Sequence, residues 1–242
     1  MTKPATEVVP EFETGLFDHH PDARFYVGVL ALPGWRVLVP EYAAATRLRA
    51  NVYIDEQGFL PSDARDGAGG EHDADDARSV HFGVVERAGP GLARLIAVVR
   101  LILRERPGDT LPVEHHFPEA FTGAPAATRS CEVSRLISRH EDKRVQGAAF
   151  GWLMRTAAAW ARRHHYRRAY ALVEEWLARH CRVLGIPHER LTDAKHIPHY
   201  ATANLVLALD PDAVGRTSGT SDLRGDALGH HLTDLDAGVP VR

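Results

Sequence analysis

Two spacings of apolar residues alternate along this chain. Continuous or every-other-residue runs rich in Val, Ile, Leu and Tyr occupy "FYVGVLAL" (25–32), "SVHFGVVER" (79–87), "LARLIAVVRLILR" (92–104), "RSCEVSRLIS" (129–138), "RRAYALV" (167–173) and "TANLVLAL" (202–209). Their length and their Gly, Pro and Asp borders predict strands. "WRVLVP" (35–40) adds a strand after the turn at Pro33 and Gly34, and "AGPG" (88–91) has the turn chemistry of a second hairpin. Helical spacing marks "PEYAAATRLRANVYIDEQ" (40–57), opening near Pro40, the Ala-rich "FGWLMRTAAAWARRHH" (150–165), and "EEWLARHCRVLG" (174–185), closed by Gly185. The predicted order is therefore β-β-α-β-β-β-α-β-α-β. Strands first clustered and then alternating with helices imply an α/β (α+β) fold, a mixed and mostly antiparallel twisted sheet with helices on both faces.

Length refines this to one domain over residues 23–210, since 242 residues fit one sizeable core and would cramp two. Residues 1–22 and 211–242 are polar and unpatterned and are expected to be flexible. Hydrophobic residues are 44% and the net charge is -3, so the chain carries no overall electrostatic footprint for nucleic acid. Two cysteines, Cys131 and Cys181, build neither a disulfide framework nor a zinc site and suit a reducing cytoplasm. No apolar run reaches 18 residues, so no membrane span is expected. Of the fifteen histidines, the pairs at 19–20, 115–116, 164–165 and 230–231 are adjacent and diverge, while His196 and His199 flank Pro198. No metal site is expected.

Chemistry enters through charges placed where a buried strand should have none. Glu132 and Arg135 lie in "CEVSR". Each requires an opposite charge beside it. Between this strand and the next helix, "RVQGAA" (144–149) has the form R-x-x-G-x-A. At a helix N-terminus, Gly147 would let phosphate oxygens approach the backbone, free N–H groups and the helix dipole would favour the anion, and Arg144 would add a charged contact. A glycine that merely turns the chain explains the same six residues.

The strand-loop-helix arrangement resembles the acyl-coenzyme A site of the GNAT acyltransferase superfamily, whose motif is [QR]-x-x-G-x-[GA], over roughly residues 25–209. Four further segments resemble the acyl-homoserine-lactone (autoinducer) synthases and the N-acyl amino acid synthases. "RANVYIDEQGF" supplies Arg49, Tyr53 and Phe59; "EHDADD" supplies Glu71, Asp73 and Asp76; "VRL" and "EVSR" supply Arg100, Glu132, Ser134 and Arg135. Tyr53, Phe59 and Asp75 stand where the autoinducer synthases have Phe, Trp and Tyr.

The resemblance implies a GNAT-like sheet whose motif strand is bulged and splayed, so that an acyl thioester slots in beside it. Arg144, Gln146, Gly147, Ala148 and Ala149 would then bind the donor. Arg49, Tyr53, Phe59, Glu71, Asp73, Asp76, Arg100 and Arg135 would form a charged acceptor site, or, on the plainer reading, a salt-bridge network pinning the first helix to the sheet. Acylation of an amine needs a base for the ammonium proton, and Glu132 is the candidate. Backbone N–H groups near Ser134 would meet the oxyanion, and Tyr200 is the candidate acid for the leaving thiolate. No covalent intermediate is required, so Cys131 is expected to be a core thiol, as Trp152, Met154 and Trp160 are expected to be core residues. Trp176 could serve either role.

The function implied is N-acyl transfer from acyl-coenzyme A or acyl-carrier protein, as co-substrate without a tightly bound cofactor, to the amine of an amino acid or related small molecule. A carrier protein would need a basic patch, for which Arg139, Lys143, Arg144, Arg162 and Arg163 are candidates. An acetyltransferase acting on a small amine and a non-catalytic thioester-binding protein are the competing readings.

Overall fold

The computed structural model describes residues 24–89, 92–106, 108–122, 129–197, 200 and 202–216. Nine strands form one sheet: β1 (Phe25–Leu32), β2 (Arg36–Val37), β3 (Ser79–Gly89), β4 (Leu92–Leu103), β5 (Ser130–Ser138), β6 (Arg168–Glu174), β7 (Glu189–Arg190), β8 (Lys195–His196) and β9 (Ala203–Leu209). Their order is β2-β1-β3-β4-β5-β6-β9-β7, with β8 also on β9. Among the described strands only β5 and β6 run parallel. The seven expected strands and three expected helices occur in the expected order.

Helices cover both faces. α3 (Lys143–Arg163) buries Val145, Ala149, Trp152, Leu153, Trp160 and Ala161 against Val29, Phe82, Val99, Leu101, Cys131 and Val133, with α4 (Glu175–Val183) beside it. Apolar positions recurring every three to four residues build that stripe. Trp152, Met154 and Trp160 are in this core, whereas Trp176 is exposed. Across the sheet, α1 (Glu41–Ala50) packs Tyr42 and Ala45 on Leu30, Val98 and Ile137. Beside it α2 (Pro112–His116) and its flanks set Leu111, Val113 and Phe117 on Ile102, Tyr170 and Val206.

The strand pattern did not mark α2, β7 or β8, which are too short to show a period. The segment expected to be flexible from 211 opens with a helix, α5 (Pro211–Arg216), whose Val214 is buried. Residues 1–22, 217–242, Pro198 and His199 lie outside the described residues, and His196 is exposed at the β8 edge. Among the described residues no helix is long and apolar enough to cross a membrane.

Candidate active site

β5 departs from regular pairing on both of its edges. On the β4 side Arg100 faces Ser134 and Val98 faces Ile137, so three steps along β5 oppose two along β4. This is a one-residue bulge, and Arg135 carries it with a φ of 51°. Alternation is thereby reset: Cys131 and Val133 face the α3 core, while Glu132, Ser134 and Arg135 all contact groups on the α1 and α2 side. On the β6 side pairing runs only from Ser130 to Val133 against Arg168 to Ala171, although β5 reaches Ser138 and β6 reaches Glu174. The two strands part there, leaving a notch edged by β5 backbone.

Six charged residues of the expected set meet in one network. Arg49, from α1, bonds Glu71 at 2.5 Å and Asp76 at 2.9 Å. Arg100, from β4, bonds Asp73 at 2.5 Å and Asp76 at 2.6 Å, and its Nε donates to Ser134 Oγ at 3.0 Å. Arg135 bonds Glu71 and Asp73, each at 2.9 Å. Three guanidinium groups thus balance three carboxylates, which is what allows Arg49 and Arg100 to rank among the largest fully buried side chains. Despite their desolvation, Glu71, Asp73 and Asp76 are held below the usual carboxylate range by these arginines. Asp73 also caps a 3-10 turn through Asp75 and Asp76 N–H. His81 stands 3.5 Å from Asp76, and burial pushes it down to about 3, so it is neutral.

The network is not sealed. Side-chain exposure is 0–2% for Arg49, Glu71, Asp76 and Arg100, but 18% for Arg135 and 29% for Asp73. A ligand can reach that edge, where a carboxylate and a guanidinium lie side by side. Tyr53 packs beneath Arg135, 5.3 Å from ring centroid to guanidinium. It is carried on a π-helical turn, Asn51–Glu56, that widens the end of α1. Phe59 stacks on Tyr53, and Tyr200 lies 6.0 Å from Phe59 and 5.8 Å from His116.

Glu132 belongs to this face but not to the network. Its carboxylate is buried and accepts the Val113 N–H of α2 at 2.8 Å, with no ion pair to Arg135. Burial pushes its pKa up to about 7, against smaller lowering from the Val113 N–H and Arg100. The direction could not be read from sequence because the partner was unknown; with one neutral donor, desolvation wins. Cys131 is buried and its thiol is pushed up to about 12, leaving it unreactive. Burial also raises Tyr200, which stays a phenol at neutral pH.

The R-x-x-G-x-A residues occupy the first two turns of α3. A Cβ on Gly147 would meet nothing within 4 Å, so this glycine is not demanded by packing and its side is open. Ala148 and Ala149 are buried in the core and seat the helix instead. Arg144 is exposed, and its N–H is taken by the Asp142 carboxylate at 2.8 Å, a helix cap that the sequence announces by an Asp ahead of the periodic stretch. Gln146 is tied through its carbonyl to Ser138 Oγ at 2.7 Å. The proposed basic patch divides: Arg139, Lys143 and Arg144 are exposed at one end of α3, while Arg162 and Arg163 lie about 28 Å away at the other, at 1.5 Å per residue. A recess of about 320 Å³ lined by Glu119, Ala120 and Leu191–Lys195 contains none of the network residues.

Solved structures with the same architecture include the acyl-homoserine-lactone synthase LasI, at a TM-score of 0.58 and 17% identity over 77% of this chain and 90% of that one. FeeM, an N-acyl amino acid synthase from uncultured soil microbes, superposes at 0.56 with 14% identity, over 79% and 93%. BjaI, a coenzyme A-dependent acyl-homoserine-lactone synthase solved with SAM and isopentyl-CoA, superposes at 0.54 with 18% identity, over 82% and 93%. The chain has the fold of these synthases. Its sequence matches no family model and no curated protein.

Proposed function

We propose that the chain transfers an acyl group from a phosphopantetheine thioester to the amine of an amino acid or related small acceptor. The observation that carries this reading is Glu132: a buried carboxylate next to the β5–β6 notch whose proton comes off near pH 7. A group poised there takes a proton from an ammonium and later returns it to solvent, which is what a general base for amine acylation must do. The thioester enters the notch, and the β5 backbone beyond Val133 offers N–H groups to the oxyanion.

The accessible edge of the network suits the acceptor. An α-amino acid brings an ammonium for Asp73 and a carboxylate for Arg135, with Tyr53 and Phe59 as the wall for its side chain. Glu132 lies two residues from Ser134 on the same strand face, about 7 Å along β5, and in this reading takes the acceptor's proton directly or through water. The amine nitrogen attacks the thioester carbonyl, the tetrahedral intermediate gives up its remaining surplus nitrogen proton and expels the thiolate, and in this reading the Tyr200 phenol protonates the thiolate and regains its own proton from solvent. The open side of Gly147 leaves room for the donor's phosphate at the start of α3, with Arg139, Lys143 and Arg144 exposed at the same end of the helix; coenzyme A and a carrier protein both present that phosphate. Mass spectrometry of lipid extracts from cells overexpressing the chain tests the reading, because one product mass reports acyl length and acceptor together. An extract with no N-acylated product over the vector control overturns it.

A further inference from the structure

The loop joining β5 to α3 is fastened from behind by a buried histidine that the acyl-transfer steps leave unused. His140 is 9% exposed. Its Nδ1 lies 2.9 Å from Asp142 N, and because an amide always carries hydrogen, Nδ1 is the bare, accepting nitrogen. The proton therefore sits on Nε2, which makes no hydrogen bond within the described residues but stands 3.4 Å from Glu86 Oε2 and 3.8 Å from Glu141 Oε1. Glu86 is itself clamped in the sheet by Arg24 at 2.7 Å and Arg94 at 2.6 Å, and Arg94 also holds Glu141 at 3.0 Å. Contacts thus run from the β3–β4 hairpin through the imidazole to Asp142, whose carboxylate caps α3 at Arg144 N.

We infer that His140 is a positioning residue for the donor loop: by accepting the Asp142 N–H it fixes the first turn of α3, and with it the space beside Gly147. This rests on the reading of that turn as the donor phosphate site. His140 is set to touch neither donor nor acceptor. Without its acceptor, the Asp142 amide has no partner on the sheet side, and the cap it carries is free to turn towards the open side of the loop.

Two substitutions separate this role from simple space filling. In His140→Asn the amide oxygen stands where Nδ1 stood; in His140→Gln it reaches the Nε2 position, keeping volume but losing the Asp142 acceptor. Calorimetry with octanoyl-coenzyme A and with octanoyl-carrier protein is expected to give His140→Asn near wild type and His140→Gln weaker by roughly five- to tenfold, the effect of one hydrogen bond. The rate at saturating donor is expected to be unchanged in both. Equal affinity of His140→Gln and wild type, or an Asn variant as weak as the Gln variant, overturns the inference. If wild type binds neither thioester, the donor reading fails, and amide hydrogen exchange decides the positioning role. Faster exchange at Asp142 and Arg144 in His140→Gln alone sustains it; equal exchange in both variants overturns it.

Discussion

Replacing Glu132 with Gln is expected to cost activity and add stability, and the two effects share one cause. The carboxyl ionises near 4.5 in the unfolded chain and near 7 in the folded one. Between those values the folded state holds a proton that the unfolded state has released, so wild-type stability from this group is full below pH 4.5, falls as pH rises to 7, and is flat above it. A shift of about 2.5 units at 1.36 kcal/mol each makes the loss roughly 3 kcal/mol. The Glu132→Gln side chain has no proton to lose and keeps a carbonyl oxygen for the Val113 N–H. Its advantage over wild type should therefore grow by roughly 3 kcal/mol between pH 4.5 and 8, on the order of 10 °C in Tm for a chain of this size. Urea unfolding of both proteins at pH 4.5 and pH 8 measures it, with every other carboxylate cancelling in the comparison. Acylation should meanwhile fall by about 10²- to 10⁴-fold with donor binding kept. A stability difference that is the same at both pH values would refute the shifted ionisation and remove the reason for choosing Glu132 as base.

The network and the donor loop give further expectations. Asp76→Asn leaves Arg49 and Arg100 short of charge in the interior and should cost about 3–5 kcal/mol in chemical unfolding; a loss under 1 kcal/mol contradicts the buried pairing. Because Glu71, Asp73 and Asp76 are held below the ordinary carboxylate range, their stabilisation is present above about pH 4 and is lost as pH falls through their folded values, so circular dichroism should show acid unfolding that Asp76→Asn makes shallower. Gly147→Val should leave Tm nearly unchanged, since its Cβ enters open space, while calorimetric donor binding is lost; undiminished affinity rejects the donor assignment. Cys131→Ala should keep kcat, and inactivity of a folded variant would put the thiol back into the reaction.

The strands were legible because their apolar periods are long, and the site was legible where charge broke those periods. Arg100 inside "LIAVVRLIL" and Glu132 inside "SCEVS" stand where a buried strand has no place for a bare charge, which marks both as paired or functional. Which partner each takes was not legible. Arg100 finds carboxylates from the 73–76 turn, but Glu132 finds a backbone amide of α2, a five-residue helix whose apolar positions are too few to show a period. The bulge in this strand follows from the resemblance, but its place at Arg135 is a matter of a positive φ on an arginine, a conformation that side-chain identity does not announce. Arg162 and Arg163 do not join Arg139, Lys143 and Arg144 in one basic patch because the helix Lys143–Arg163 carries them to its far end. The Asp142 cap was available from residue type alone, and its partner His140 was not, because that contact depends on how the loop returns to the sheet.

The most direct measurement incubates purified protein with octanoyl-coenzyme A or octanoyl-carrier protein and a mixture of the common amino acids, and follows the products by high-resolution mass spectrometry. The account predicts a thioester-dependent ion at the mass of one amino acid in which an octanoyl group has replaced one amine hydrogen, formed with release of the free thiol, faster as pH rises through about 7 and nearly absent in Glu132→Gln. Free octanoate as the sole product from both thioesters, or N-octanoyl product formed equally by the Gln variant, would contradict it.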